Sequence, residues 1–433
     1  MRPARTRRSA SSCARVAGHA SATFAPPVAL ATLAMASVSC VGADPCAAHE
    51  LGPIARPHLA VVLSDYASSA IAIVESDGVV TAPWIDSGSR PPELVAALSG
   101  DVVLPRSLPR ADALAIVDRY QTDVLTEIPY AAPEALAQHD LRGGRTSGAS
   151  PNPQDVLALE DGRWLVSRHN PAEAPAAPEL ARGNDLAILD EATHELVGRI
   201  DLGADVELEG VRYFARPSGL VRMHDGSEER VLVGLARLSS LVLRLTGPGA
   251  VALLDPRTSR VAVLELEGLS NCTTVASFPR DDARAMVLCR GDAFGEDEAR
   301  GGLVEIALDA GVLVERRRFA VSADASLPPP GNGLVPLDAT RVAYVSSGSV
   351  IEGRLDRLVL LDVTTGETSL LLESGPEPFM LGDGVLDGDA LLVPDGNAHA
   401  IRRFAIADLV EGEPIVLGGA CATLPPRQVV VVR

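Results

Sequence analysis

Histidine and cysteine are the side chains of this 433-residue chain best suited to metal or nucleophilic chemistry, and it has eight and six of them. Their spacing argues against the familiar short-range sites. His139, His169, His194, His224 and His399 fall in no HxH or HExxH pattern, and no CxxC occurs, so the ligand pairs that mark zinc sites in a sequence are missing. The chain has no lysine, which excludes Schiff-base chemistry and a phosphate-loop lysine. No GxSxG elbow or glycine-rich nucleotide fingerprint is present. Arg168-His169-Asn170 falls at the end of a predicted strand and reads as a solvated loop. Arg290-Gly291-Asp292 is an adhesion-like tripeptide in an acidic stretch, where an isolated match carries no function. Asn271-Cys272-Thr273 is a variant glycosylation triplet with little room for a glycan if its cysteine is bonded.

The elements that must position these residues come from a repeat. A short apolar run ending in an acid occurs seven times: Ala70 to Glu75, Ala113 to Asp118, Leu186 to Asp190, Val251 to Asp255, Leu303 to Asp309, Leu358 to Asp362 and Ile401 to Asp408. Steps between the acids run from 43 residues (Glu75 to Asp118) to 72 (Asp118 to Asp190) and average about 56, a repeat architecture. A proline ahead of another apolar run keeps the same period at Pro92, Pro153, Pro217, Pro330, Pro378 and Pro426, with the missing member near Asn271. Proline lacks a backbone donor and suits the first residue of a strand.

Each repeat reads as four strands. In the third they are Gln154 to Leu159, Trp164 to Arg168, Asn184 to Asp190 and Glu195 to Leu202, with a turn at Asp161-Gly162 between the first two. Turns of the same kind are expected at Asp225-Gly226, Asp281-Asp282, Asp338-Ala339 and Asp387-Gly388. Four short strands per repeat describe propeller blades. The first repeat starts at its second strand, His58 to Ser64, and the chain ends on an unaccompanied Gln428 to Val432. Pairing those two completes the first blade and removes the exposed edges. The expected fold is therefore all-β, a seven-bladed β-propeller closed by the C-terminal strand. Six or eight blades stay open, because the 72-residue step (Asp118 to Asp190) could hide an extra strand pair.

The N-terminus reads as a targeting segment. Arg2, Arg5, Arg7, Arg8 and Arg15 precede an apolar stretch, Val28 to Val38, and no acid occurs before Asp44, the pattern of a secretory signal. Ser37-Val38-Ser39-Cys40 resembles a bacterial lipobox, with Ser37 where leucine is usual. That resemblance implies lipidation of Cys40, so the expected division is a signal over 1–39, a tether over 40–56 and the propeller over 57–433. Arg7-Arg8 resembles a twin-arginine signal without the apolar residues that should follow. Loss of residues 1–39, with five arginines and no acid, would take the formal charge from −19 to −24. Phosphate backbones would repel such a chain, so no nucleic-acid partner is expected. Of the remaining cysteines, Cys272 and Cys289 flank a predicted turn, and ring closure brings Cys46 and Cys421 together. Two disulfides, Cys272–Cys289 and Cys46–Cys421, follow in an oxidising compartment.

Residues from about Pro57 to Arg433 resemble, through their blade pattern, the bacterial propeller superfamily with surface-layer-like and quinoprotein-beta-chain-like repeats. Asn332-Gly333-Leu334 is similar to a segment of calcium-dependent lactonase propellers, whose central channel holds calcium on Glu, Asn and Asp side chains. That resemblance implies Asn152, Asn271, Asn332 and Glu377 as a ligand set, although calcium usually takes several carboxylates and only Glu377, with Asp155, supplies charge. The expectation is a cofactor-free, non-catalytic binding or scaffold protein of the cell envelope. It would be held to a membrane only through a lipid anchor and would meet an envelope protein or a small ligand. The alternative is a calcium-dependent lactone or ester hydrolase with its site in the channel. A redox accessory subunit lacks any ligand set.

Overall fold

The computed structural model describes residues 51–432 apart from residue 120 and segments 146–149, 173–176, 240–244, 292–297, 322–326 and 418–422. The chain forms two units, residues 1–44 and 45–433, and the first lies outside the described residues. So do Cys40, Cys46 and Cys421, and with them the lipidation and the second disulfide.

Among the described residues the fold is all-β apart from three single-turn 3-10 helices. Seven sheets have four antiparallel strands and one has three. The third sheet is typical. Its strands are Pro153–Ala158, Arg163–Arg168, Asp185–Asp190 and Leu196–Ile200, within two residues of the ranges expected from the repeat. Pro153, Pro217, Pro330 and Pro426 each open an inner strand, as their missing donors require. Pro92 and Pro378 lie outside strands.

The last strand, Pro426–Val431, pairs antiparallel with Pro57–Ser64. The Gln428 side-chain amide bonds both the N–H and the C=O of Leu104 at 2.8 Å, tying that strand to the second sheet. Apolar clusters fill the seams between successive sheets, and one joins the seventh sheet to the first through Leu392, Ile401, Leu63 and Val429. Val, Leu, Ile and Ala dominate these seams, as a chain with 3% aromatics requires. Residues 51–56 pack on the first seam, where Trp84 donates to the Gly52 carbonyl at 2.7 Å and stacks on Tyr130.

Two expectations are corrected. The extra strands occur in the step after the 72-residue one. Val206–Leu208, Val211–Phe214 and Leu238–Ser239 make the three-stranded sheet beside the fourth four-stranded one. The turn expected at Asp281-Asp282 lies at Pro279-Arg280, with Arg280 at φ +64°. Pro279 cannot donate to the ladder, so it takes the turn and leaves Asp281 to begin the next strand. The Cys272–Cys289 disulfide is present.

Candidate functional site

The inner strands surround a cavity of about 710 Å³, lined by strand residues of six four-stranded sheets and by the segment just ahead of the seventh. One position recurs around it. The residue at or just past the end of the second strand turns inward, and its N–H donates to a carbonyl just ahead of the first strand. Ser64, Arg119, His169, Ala236 and Arg290 donate to Pro425, Asp101, Asn152, Arg216 and Asn271 at 2.9–3.2 Å, and all five donors line the cavity. Asn152, Arg216 and Asn271 hold the left-handed conformation, with φ of +51°, +49° and +54°. Asparagine tolerates that region; for arginine it is strained, a condition that clusters at functional sites.

Two of the cavity's four lining arginines are neutralised. Arg106 forms a two-pronged pair with Asp383 at 2.8 and 3.0 Å and reaches the Leu334 carbonyl at 3.2 Å, so one side chain links three sheets. Arg119 pairs with Asp101 and reaches Gln154. The other two have no carboxylate partner among the described residues. Arg427 donates to the Ser64 and Phe379 carbonyls and lies over the Tyr66 ring, near exposed Asp65 but not paired with it. The Arg290 guanidinium makes no hydrogen bond or ion pair among the described residues, and burial pushes its pKa down. Among the described residues the cavity thus sets four arginines against three aspartates, Asp101, Asp155 and Asp383, inside a chain of net charge −19.

His169 is not the solvated loop expected. It lines the cavity, its Nδ1 is buried without a hydrogen-bond partner among the described residues, and burial, helped by the charge of Arg216, pulls its pKa down to about 3. The imidazole is therefore neutral at pH 7. Its flanking residues are structural. Arg168 is fully buried against Asp185, and Asn170 accepts from Arg216, whose buried Nε has no hydrogen-bond partner among the described residues and whose pKa falls to about 10 through burial.

Asp155 lies on the same sheet as His169 and lines the cavity. It accepts from the Leu220 and Val156 N–H groups, each at 2.9 Å. Burial outweighs those bonds and lifts its pKa to about 6. A carboxyl with a raised folded-state pKa favours folding while protonated, and that contribution is lost as pH rises through about 6. A carboxyl raised from its ordinary value to about 6 carries about 3 kcal/mol of such pH-dependent stability. Asp155→Asn cannot ionise, so its stability relative to the parent should improve by up to that amount between pH 4 and pH 8. Urea unfolding of both proteins at the two pH values checks this, and a constant difference would contradict it.

Only part of the proposed calcium set comes together. Asn271 and Asn332 line the cavity, whereas Asn152 and Glu377 are not among its lining residues. The Asn152 carbonyl oxygen Oδ1 accepts from Gln154, and Glu377 is exposed, its N–H donating to Asn397. The acids that do line the cavity are Asp101, Asp155 and Asp383, each already engaged. Sequence reading took the polar residues ahead of inner strands as the wall and missed Arg119, Arg290 and Arg427. The usable signal was the residue directly after each second strand's apolar run, as in Asp118-Arg119 and Cys289-Arg290.

No family model matches the chain, and no curated protein matches it. Solved structures do. The periplasmic gluconolactonase of Pseudomonas aeruginosa matches at 15% identity with a TM-score of 0.54, over 87% of this chain and 99% of that one. A candidate 6-phosphogluconolactonase from Bacteroides fragilis matches at 11% identity with a TM-score of 0.52, over 87% and 98%. A protein of unknown function from Desulfotomaculum acetoxidans matches at 10% identity with a TM-score of 0.50, over 87% and 98%. At such identities the likeness is one of fold, and with the antiparallel sheets it makes this chain an all-β, multi-bladed propeller.

Proposed function

We propose that the chain is an exported, lipid-anchored propeller of seven blades whose axial cavity binds a small anionic, hydroxyl-rich ligand. The seven four-stranded sheets and the pairing of Pro426–Val431 with Pro57–Ser64 support a closed ring, with the three-stranded sheet an insertion beside the fourth blade. Export rests on the N-terminal arginines and apolar stretch; the periplasmic setting of the Pseudomonas neighbour is in keeping with it.

One observation carries the binding reading: Arg290 and Arg427 face a cavity of about 710 Å³ with no carboxylate partner among the described residues. That volume suits a small molecule, and a half-buried guanidinium is a strong partner for a carboxylate or phosphate. Isothermal titration with gluconate and 6-phosphogluconate, against glucose, tests it. Both anions should bind, more weakly as salt rises, and glucose should not. Arg290→Gln should weaken binding about 10–100-fold, the worth of one hydrogen bond to a charged group. Equal affinities for the three sugars, or no effect of the substitution, would remove the reading.

A second reading, hydrolysis of sugar lactones in the same cavity, is favoured by the neutral His169 imidazole and by Asp155 on one sheet, and by the names of two structural neighbours. It assigns no step to calcium. Gluconolactone hydrolysis followed by pH-stat should exceed the spontaneous rate, persist in chelator and fall to background in His169→Ala. A rate equal to background leaves the cavity as a binding site only.

A further inference from the structure

We propose that Glu127, His139 and His194 form a site for a divalent transition metal of the zinc class at the seam between the second and third sheets. The three residues take no part in the axial cavity, and the proposal is independent of the function assigned to it.

Glu127 lies on Val124–Pro129, the third strand of the second sheet. It is 6% exposed in a seam otherwise packed by residues such as Leu125, Trp164 and Leu189. A carboxylate there must be held by polar partners. The register pairs Leu125 with His139 and Glu127 with Ala137, so Glu127 and His139 are diagonal neighbours on one face of the sheet. His194 comes from the other side of the seam. It sits in the turn between Asp185–Asp190 and Leu196–Ile200 at φ +54°, and its ring packs on Trp164 and His139 at centroid distances of 4.7 and 4.4 Å.

The spacing fits an ion better than it fits a lone acid among hydrocarbon side chains. Glu127 Oε2 lies 3.2 Å from His139 Nε2 and 3.1 Å from His194 Nδ1, and ligand atoms of all three residues lie within 4.8 Å of one another. A tetrahedral zinc with bonds of about 2.0–2.1 Å holds its ligand atoms about 3.3 Å apart. Two imidazoles and one carboxylate form a three-ligand set that leaves a fourth position for water. Among the described residues His194 Nε2 is buried with no hydrogen-bond partner, and it is the ring's Nδ1 edge that faces Glu127. His139 and Glu127 belong to one sheet and His194 to the next, so an ion there would staple two blades together.

The test uses the full mature chain without a histidine tag. Cobalt(II) titration should give visible ligand-field bands that saturate at one equivalent and disappear on adding zinc. Zinc should raise the melting temperature, since an ion bound only to the folded state stabilises it. His139→Gln and His194→Gln should each abolish the bands and weaken zinc binding by more than about 100-fold, beyond what loss of an outer-shell partner costs. His399→Gln, away from the seam, should behave as the parent. Absence of bands and of a zinc-dependent melting shift in the parent overturns the proposal, as do bands that survive His139→Gln. If His194→Gln fails to fold, imidazole NMR of the parent decides: zinc must shift the ring signals of His139 and His194, and shifts confined to other histidines refute the site.

Discussion

Removal of residues 424–433 is expected to yield an insoluble chain with no cooperative unfolding transition. The deleted segment supplies Val429, Val430 and Val432, which are 2%, 3% and 8% exposed. Burying one valine contributes about 1.5–3 kcal/mol, so three approach the whole stability of an ordinary domain, about 5–15 kcal/mol. The deletion also frees the Pro57–Ser64 edge, whose Leu59 to Leu63 run is wholly apolar and buried, a template for aggregation. Moving the same ten residues to a position ahead of Pro57 through a flexible linker should restore solubility, since the strand could then reach its partner from the other terminus. Solubility, size-exclusion elution and circular dichroism of the two variants read this out. A soluble monomer from the deletion, stable to within about 2 kcal/mol of the parent, would show that the pairing matters little.

Asp185→Leu is expected to cost about 3–5 kcal/mol, the penalty for leaving a buried charge without its counter-ion. Arg168 donates to both Asp185 oxygens at 2.8 Å, and Arg199 donates to one of them at 2.6 Å. The Asp185 and Arg168 side chains are both 0% exposed. Arg168 also reaches the Leu141 and Leu180 carbonyls, so it clamps two loops as well as its own sheet. Arg168→Met with Asp185→Leu should cost clearly less than the sum of the single changes, because the pair leaves together. Urea unfolding of the three variants measures the coupling. Additive effects would mean that the two side chains act independently.

The sheets were legible in the sequence because their signal is local. An apolar run closed by an acid, and a proline where a strand can spare its donor, are read within a few residues. The third sheet shows how far this reaches, each strand end falling within two residues of its expected place. The turn at Pro279-Arg280 was misplaced because two adjacent acids gave the stronger turn signal, while proline's missing donor decided the outcome. The cavity was less legible. Arg290 and Arg119 look like ordinary strand-end arginines until the fold brings them to one cavity. Glu127, His139 and His194 span 67 residues and two sheets, so no spacing rule applied to one stretch could have joined them.

The inward-turning position has a wider consequence. Each such residue is anchored through its own backbone N–H, which every amino acid except proline possesses. Serine, arginine, histidine and alanine already occupy equivalent places in this one chain. Exchanging them would leave the strand ladders untouched, so chemical specificity can drift one blade at a time while the scaffold stays intact. A protein built this way can keep its shape long after its lineage has become unreadable in its letters.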